Sequence, residues 1–283
     1  MNEALLNGSD KQYWHRFLPL YEKELGKVNE VKKILEFGVF KGDSIRWLKN
    51  KYPKANIFGG DILPVQNEWP LSPFVEYIRV DQGDINGIER LFQKVGKDID
   101  LLIEDGSHFP EHQKNCLILG IEHMSSGGLY ILEDLHTSHP EHPYYKNTLF
   151  EFLSKEKIRI LKLLKIIFWG SRIYSFLLEK LTRGQKFIGC LHLLLCFEHL
   201  KKIGKDLDEN LLLDISSKSL FTPKEIETIF NKIDSIKIYK RSTLPHKCYV
   251  CGSVNYNFHL LKCSCGVDIY SNSDSMAAII RIS

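Results

Sequence analysis

The stretch that decides the fold is Lys33-Ile-Leu-Glu-Phe-Gly38-Val-Phe-Lys-Gly42-Asp-Ser44. Its apolar start predicts a buried strand that ends at Gly38, and the residues that follow predict a helix from Lys41 to Lys51. Glycines in such a turn let the backbone approach a ligand closely, and the helix N-terminus presents unpaired N–H groups. The spacing Gly-x-x-x-Gly, without Gly-Lys-Ser/Thr, argues against both a dinucleotide fold and a P-loop. The stretch therefore predicts a nucleotide-type site of another kind.

Strand and helix patterns alternate through the first two-thirds of the chain, which is typical of an α/β fold with a mainly parallel sheet. Further strands are predicted over residues 56–61, 75–80, 99–105 and 128–134, and helices over 85–95 and 110–124, with a helical extension over 9–30. A helix with a capping-box pattern opens at Thr222, and closing strands follow over 235–240 and 276–282.

Four parts are expected along the chain. They are an N-terminal helical extension over 1–30, a core over 31–150, a basic helical insertion over 151–215, and a closing helix and strands over 216–283 with a Cys-rich insertion over 245–267. Asp61, at the end of the second predicted strand, is placed to accept hydrogen bonds from ribose hydroxyls, because ligands of open α/β sheets bind at the carboxyl ends of strands.

Composition narrows the class of protein. The chain has 283 residues, 43% of them hydrophobic and 26% charged, with a net charge of +3. This balance excludes a disordered chain and argues against a nucleic-acid binder. The longest uncharged apolar run, residues 187–197, is far shorter than the ~20 residues of a membrane span. No secretion signal is visible at the N-terminus, so we expect a cytoplasmic protein.

Basic residues concentrate in the predicted helical insertion. Residues 155–205 contain 12 Lys or Arg and 3 Glu, a local balance of +9. We interpret them as the solvated face of a helical cap. The alternative is a surface for a phosphorylated substrate or for the inner face of an anionic membrane. The apolar helices of this region either close over an acceptor or bury a homo-oligomer interface.

Several short motifs follow one another along the core. They are Gly8-Ser9-Asp10-Lys11 with His15 and Tyr21, the Glu36-x-Gly38-x-x-x-Gly42 turn, Ile57-Phe-Gly-Gly-Asp61, Asp81-Gln82, Glu104-Asp105-Gly-Ser-His108, and Gly128-Leu-Tyr-Ile-Leu-Glu-Asp134-Leu-His-Thr-Ser138. The turn resembles motif I of the class I S-adenosylmethionine-dependent methyltransferases. Together, over residues 8–140 and the closing strands, the motifs resemble the metal-dependent sugar O-methyltransferases of macrolide biosynthesis and their relatives that act on bacterial glycans.

The resemblance implies a Rossmann-like, mainly parallel seven-stranded sheet that binds S-adenosylmethionine. The residues it assigns to the donor are Asp10, Lys11, Glu36, Gly38, Gly42, Ser44, Asp61, Asp81 and Gln82. It also implies that the strands ending at Asp105 and Asp134 are neighbours, with both carboxylates ligating Mg²⁺, an ion that prefers oxygen ligands. It does not cover the basic helices or the cysteine cluster, so it does not identify the acceptor.

His108 follows Asp105 by three residues and is the candidate general base, since its ordinary pKa of ~6.5 suits proton transfer near neutral pH. The resemblance assigns this position the same role. The competing interpretation is that Asp105 caps the next helix and His108 only hydrogen-bonds a turn. The third metal carboxylate of the family is not placed by motif, because strand alternation directs Glu104 and Glu133 to the other side.

His136, His139 and His142 follow the second carboxylate, with prolines between them. A second metal site is conceivable, but proline-broken loops rarely hold such a triple in register, so we expect the rim of the active site. Of the three, His136 is the best placed to touch substrate or metal.

The seven cysteines divide into two groups. Cys116, Cys190 and Cys196 lie in apolar stretches and are expected in the core, whereas Cys248-x-x-Cys251-Gly252 and Cys263-x-Cys265-Gly266 crowd into one short window. The first pair resembles a zinc knuckle, and four close thiols predict a structural Zn²⁺ site, with His246 as a substitute ligand. The alternatives are free thiols and a redox pair.

The leading hypothesis is a metal-assisted O-methyltransferase acting on a sugar-containing acceptor. The alternatives are a methyltransferase for a phosphate-bearing small molecule or lipid and a non-catalytic docking module. A nicotinamide-dependent oxidoreductase is disfavoured by the glycine spacing.

Overall fold

The structure is a computed structural model. It describes residues 9–26, 28, 30–140, 142–157, 166, 173, 176, 180, 185–241, 247–248, 250–257, 259–260, 262–268 and 275–283. Residues 158–184 of the predicted basic helical insertion (151–215) therefore lie almost entirely outside the described residues, as does His246.

Helices and strands alternate through the first half of the chain. The elements are α1 (Asp10–Tyr13), α2 (Leu18–Leu25), β1 (Lys33–Phe37), α3 (Asp43–Lys51), β2 (Asn56–Asp61), β3 (Val75–Arg79), α4 (Ile85–Val95), β4 (Ile99–Glu104), α5 (Pro110–Ile121), β5 (Met124–Leu132), a 3-10 turn (Leu135–Ser138) and α6 (Pro143–Lys157).

The second half returns the chain to the sheet. Its described elements are α7 (Cys190–Lys202), α8 (Glu209–Ser217), α9 (Pro223–Lys232), β6 (Ile233–Lys240), the short strands β7 (Tyr256–Asn257) and β8 (Lys262–Cys263), and β9 (Met276–Ile282). The capping box predicted at Thr222 is confirmed, because its hydroxyl and the Glu225 carboxylate exchange hydrogen bonds with each other's backbone N–H groups.

Within the described residues, seven strands form one sheet in the order β3-β2-β1-β4-β5-β9-β6. The first five are parallel, and β9 runs antiparallel between β5 and β6. The chain order reverses between β1 and β4, where Phe37 lies beside Glu104. The predicted mainly parallel seven-stranded sheet is confirmed, and its switch point, where ligands bind in open α/β sheets, lies at the Gly38 turn.

Apolar side chains cover both faces of the sheet. On β4, Leu102 packs with the cluster that includes α4, α5 and α7, whereas Leu101 and Ile103 pack with the cluster that includes α2 and α3. This is the pattern of a central parallel strand buried on both sides. The core thus holds the carboxyl ends of the central strands rigidly at one edge.

The N-terminal segment, expected as a helical extension over residues 9–30, is divided in the structure. It forms two helices, because Arg16 adopts a left-handed backbone (φ 59°) and Pro19 stands in the first turn of α2, where proline is tolerated. The turn between them places α1 over the sheet edge and α2 against its face. The helix predicted to residue 124 ends at Ile121, and β5 begins at Met124.

No helix among the described residues combines the length and the apolar character needed to cross a membrane.

Candidate functional site

Two adjoining cavities lie at the carboxyl ends of the central strands. The larger, about 600 Å³, is lined by residues that include Asp10, Gly38, Asp61, Asp81, Gln82, Asp105, His108 and Asp134. The smaller, about 400 Å³, is lined by residues that include Asp10, Lys11, Gly38, Asp43, Ser44, Asp105 and Val250. The structure therefore brings most of the predicted site residues to one place, although Glu36 and Gly42 line neither cavity.

At the Gly38 turn, the residues that follow β1 and β4 approach each other closely. Gly38 has φ 86°, and a Cβ added there would lie 2.0 Å from the backbone carbonyl oxygen of Asp105. Only glycine fits such an approach. Asp61 secures the same turn, because its Oδ2 accepts hydrogen bonds from the backbone N–H groups of Val39 (2.8 Å) and Phe40 (3.1 Å). Gly42 serves packing instead, since a Cβ there would meet Pro70 at 2.7 Å.

Glu36 lies beneath the turn with no solvent exposure. Its Oε2 accepts a hydrogen bond from the Ser44 hydroxyl at 2.8 Å. Burial raises the pKa of Glu36 to about 7, against the opposing effects of Lys11 and Ser44. The carboxyl group therefore supports the start of α3 from below the cavities.

Lys11 is a buried cation at the strand ends. Its Nζ donates to the carboxylate of Asp105 and to Glu133 Oε1 (2.7 Å), and it lies 4.0 Å from Glu36 Oε1. Burial alone would lower the pKa of Lys11, but the surrounding carboxylates raise it well above its usual value. Tyr21 of α2 also donates to Glu133. Lys11 thus links α1 to the ends of β4 and β5.

Asp105, His108 and Asp134 form a compact cluster. Each offers a ligand atom, and these atoms all lie within 4.8 Å of one another. His108 Nε2 is 3.5 Å from Asp134 Oδ2. Both His108 (φ 61°) and Asp134 (φ 51°) adopt left-handed backbones, which are uncommon for non-glycine residues and are concentrated at active sites. The geometry suits a divalent cation held by two carboxylates.

Three imidazoles surround Asp134. His15 Nδ1 and His136 Nδ1 lie 3.7 Å and 3.6 Å from its Oδ1, and His108 approaches its other oxygen. Burial opposes ionisation of Asp134, but these histidines outweigh it and lower the pKa of the carboxyl. Burial likewise opposes the charged form of His108, yet Asp134, Asp105 and Glu104 raise the pKa of its imidazole. Asp134 is therefore ready to ligate a cation as the carboxylate.

Gln82 organises the loop after β4 from the other side. Its Nε2 donates to Glu104 Oε1 at 2.7 Å, and its Oε1 accepts from the Ser107 N–H at 2.7 Å. A Cβ at Gly106 would lie 2.0 Å from Gln82 Oε1. Asp81 is exposed on the cavity wall, where Oδ1 accepts from the Gly83 N–H at 2.8 Å.

The three histidines after Asp134, namely His136, His139 and His142, lie outside the two clusters of metal-type ligands found among the described residues. The His136 and His142 rings meet edge to face at 5.5 Å, and burial with His136 nearby lowers the pKa of His142 to about 4. Of the three, His136 lies beside Asp134, and sequence reasoning did not predict that His15, from the N-terminal segment, lies beside the same carboxylate.

The second metal-type cluster is the four C-terminal cysteines. The Sγ atoms of Cys248 and Cys265 are 3.7 Å apart, those of Cys251 and Cys263 are 3.4 Å apart, and all four lie within 4.8 Å of one another. The spacing in sequence, two residues and then one, thus closes into a single four-thiol group.

The chain is similar in sequence to known proteins over part of its length. No family model matches the chain. It is 30% identical over 135 residues to mycinamicin VI 2''-O-methyltransferase of Micromonospora griseorubida, covering 45% of this chain and 33% of that protein. It is also 30% identical over 144 residues to an 8-demethyl-8-alpha-L-rhamnosyl tetracenomycin-C 2'-O-methyltransferase of Streptomyces olivaceus, covering 48% and 37%. The chain therefore matches about a third of the length of these curated relatives.

Similarity to a solved structure extends further along the chain. A structure of MycE methyltransferase from the mycinamycin biosynthetic pathway, in complex with Mg, S-adenosylhomocysteine and mycinamycin VI, covers 95% of this chain and 50% of its own, with TM-score 0.52 and 17% identity. A second crystal form with Mg and S-adenosylhomocysteine gives a TM-score of 0.53. The chain therefore has the class I, Rossmann-like methyltransferase fold, and over about half its length its sequence is similar to sugar O-methyltransferases.

Proposed function

We propose that this protein transfers a methyl group from S-adenosylmethionine to a hydroxyl of a sugar-containing acceptor. The observation that carries the proposal is the cluster of Asp105, His108 and Asp134 on the wall of a cavity of about 600 Å³ that also adjoins the Gly38 turn. A donor and an acceptor held in one such cavity react at the strand ends, as expected for an open α/β sheet.

The donor occupies the part of the cavities nearest the Gly38 turn. Gly38 lets the backbone approach the donor, Asp61 and Asp81 border the ribose, and Asp10, Lys11, Ser44 and Gln82 complete the wall. Glu36 acts from below by holding Ser44. The names of the curated relatives, which are O-methyltransferases, support a methyl donor as the ligand of this cavity.

The residues present fit a magnesium ion. Asp134 Oδ1 is buried without a hydrogen-bond partner among the described residues, and Asp105 already binds a cation, the Lys11 ammonium. Oxygen ligands of this kind suit Mg²⁺, the ion present in the MycE complex. A bound Mg²⁺ would lower the pKa of a coordinated hydroxyl. Asp105 and Asp134 would hold it, and His108 would remain available as the base.

His108 takes the proton in the proposed reaction. The acceptor oxygen forms a bond to the methyl carbon, the carbon–sulfur bond of the sulfonium breaks, and the hydroxyl proton passes to the His108 imidazole. S-adenosylhomocysteine and the methyl ether leave. The electrostatic contacts of His108 with Asp134 then stabilise the imidazolium that forms.

The test is methyl transfer to a rhamnosyl glycoside. With 8-demethyl-8-alpha-L-rhamnosyl tetracenomycin-C and methyl α-L-rhamnoside as trial acceptors, we expect His108→Gln to lower kcat about 100-fold or more, because a positioned base contributes 10²–10⁴-fold. S-adenosylhomocysteine affinity should change less than about threefold. His199→Gln, an exposed histidine on α7, is the control. Equal rates in the wild type and His108→Gln would refute the assigned base.

A further inference from the structure

We infer that Cys248, Cys251, Cys263 and Cys265 bind one Zn²⁺. The described residues between 247 and 268 that surround this ion form the zinc unit. We infer further that the zinc unit holds α1 in place over the strand ends, so that donor binding depends on zinc. The second half of the inference rests on the proposed methyl-donor site. The first half, a metal site outside the reaction centre, stands independently of it.

The sulfur positions match a tetrahedral ion. Four sulfurs at ~2.3 Å from one Zn²⁺ are separated by about 3.8 Å along each edge of the tetrahedron. The Sγ separations of 3.7 Å (Cys248–Cys265) and 3.4 Å (Cys251–Cys263) are close to this edge length. Two disulfides would need each pair to approach to ~2.05 Å. The arrangement leaves no open position, which is typical of a structural zinc site.

Each pair of cysteines lies on a tight turn closed by glycine. The Gly252 N–H donates to the Cys248 carbonyl at 2.8 Å, and the Gly266 N–H donates to the Cys263 carbonyl at 2.8 Å. Both glycines have left-handed backbones, with φ 68° and 88°. The paired strands β7 and β8 join the two turns. The backbone therefore presents both thiol pairs toward one point.

The described residues of the unit form little apolar core of their own. Its buried cysteines, Cys248 and Cys263, pack with Trp14, and Tyr13, Tyr256 and Val267 are the partly buried neighbours. Val250, Val254 and Leu260 are each 66% exposed. A segment this small and this poor in buried apolar surface needs a crosslink or a metal to hold its shape. Zinc supplies that constraint.

The zinc unit contacts α1 on several sides. Trp14 lies against Cys248 and Cys263, and the Lys247 ammonium lies 4.3 Å from the centre of the Tyr13 ring. At the neighbouring end of β6, Arg241 donates to the Trp14 carbonyl at 3.0 Å and stacks over its ring at 5.1 Å. The C-terminal end of α1 is therefore packed against this part of the chain.

Helix α1 brings Lys11 to the reaction centre. It is four residues long, too short to be stable without tertiary contacts. Its Lys11 donates to Asp105 and Glu133, and Val250 of the zinc unit lines the smaller cavity together with Lys11 and Asp43. Loss of the metal would release Trp14 and Tyr13, and Lys11 would lose its fixed position over the two carboxylates.

The metal is tested by elemental analysis of the purified full chain. We expect one zinc per chain in the wild type and in Cys196→Ser, a cysteine of α7 outside the cluster. Cys251→Ser and Cys265→Ser, which change exposed ligands, should retain less than about a fifth of it. A chain without stoichiometric zinc when purified under reducing conditions with zinc supplied, or one that holds another metal, would overturn the site.

The coupling is tested on wild-type protein before and after zinc is removed with a chelator. We expect faster hydrogen exchange of the peptide containing α1, at least tenfold weaker S-adenosylhomocysteine binding, and recovery of both on adding Zn²⁺. Unchanged exchange or unchanged affinity would overturn the coupling. If S-adenosylhomocysteine binds neither form, the proposed donor site fails, and the exchange measurement alone decides whether zinc holds α1.

Discussion

The buried side chain of Glu36 favours the neutral carboxylic acid over the carboxylate in the folded protein. This side chain is fully buried beside Ser44, and burial raises its pKa to about 7 from the usual 4.5. Below pH 4.5 the group is protonated in both folded and unfolded chains. As the pH rises to about 7, the unfolded chain ionises first, so the wild type loses stability over that window.

We therefore expect Glu36→Gln to gain relative stability as the pH rises from about 4.5 to 7. The free energy of unfolding of the variant, minus that of the wild type, should increase by about 3 kcal/mol, at 1.36 kcal/mol per pKa unit. Urea titrations at each pH, without donor, measure it, and Glu227→Gln on the exposed face of α9 controls for the change in charge. A pH-independent difference would contradict the buried neutral carboxyl.

The positions of the site residues relative to one another were partly predictable from the sequence. Asp105, His108 and Asp134 follow strands, and strands of a parallel sheet end at a common edge, so motif order was enough to bring them together. The role of Glu133 as a partner of both Lys11 and Tyr21 was not predictable. Lys11 and Glu133 are 122 positions apart in the sequence, and no local pattern predicts that their side chains meet.

The turn between β1 and α3 is the element on which the donor site depends. Gly38→Ala would place a methyl group 2.0 Å from the Asp105 carbonyl oxygen and would also strain a φ of 86°. We expect the free energy of unfolding to fall by about 3 kcal/mol or more, since a left-handed alanine alone costs ~1–2 kcal/mol. S-adenosylhomocysteine binding should be lost.

Gly204→Ala is the matched control for Gly38→Ala. Gly204 has φ 63° but no atom within 4 Å of an added Cβ, so it should show only the backbone cost of ~1–2 kcal/mol. Chemical denaturation and calorimetric titration of both variants measure the difference. Equal stability losses at the two positions would mean that the close approach of β1 and β4 is not what requires glycine at residue 38.

Element order was predictable where periodicity is strong. The strands and helices from β1 to β5 lie within a few residues of their predicted bounds, and the capping box at Thr222 marks the start of α9. The break between α1 and α2 was not predictable, because it depends on the left-handed backbone of Arg16. That residue contacts the closing part of the chain, where the Tyr239 hydroxyl donates to the Arg16 carbonyl at 3.3 Å.

At the scale of the whole molecule, three separate parts of the chain meet at one edge of the sheet. The N-terminal α1, the strand-end loops of the core and the C-terminal cysteine unit share the smaller cavity through Lys11, Asp105 and Val250. Sequence motifs predicted the core and the cysteine cluster separately. Their contact through Trp14 depends on tertiary packing, which the spacing of residues along the sequence does not reveal.

The central claim is that the cavity at the switch point binds a sulfonium methyl donor. The most direct measurement is calorimetric titration of the purified chain with S-adenosylhomocysteine, with and without Mg²⁺. We predict one site per chain with micromolar Kd in the wild type, and no detectable binding in Gly38→Ala. Absence of binding in the wild type under both conditions would contradict the claim and leave the methyltransferase fold without its donor.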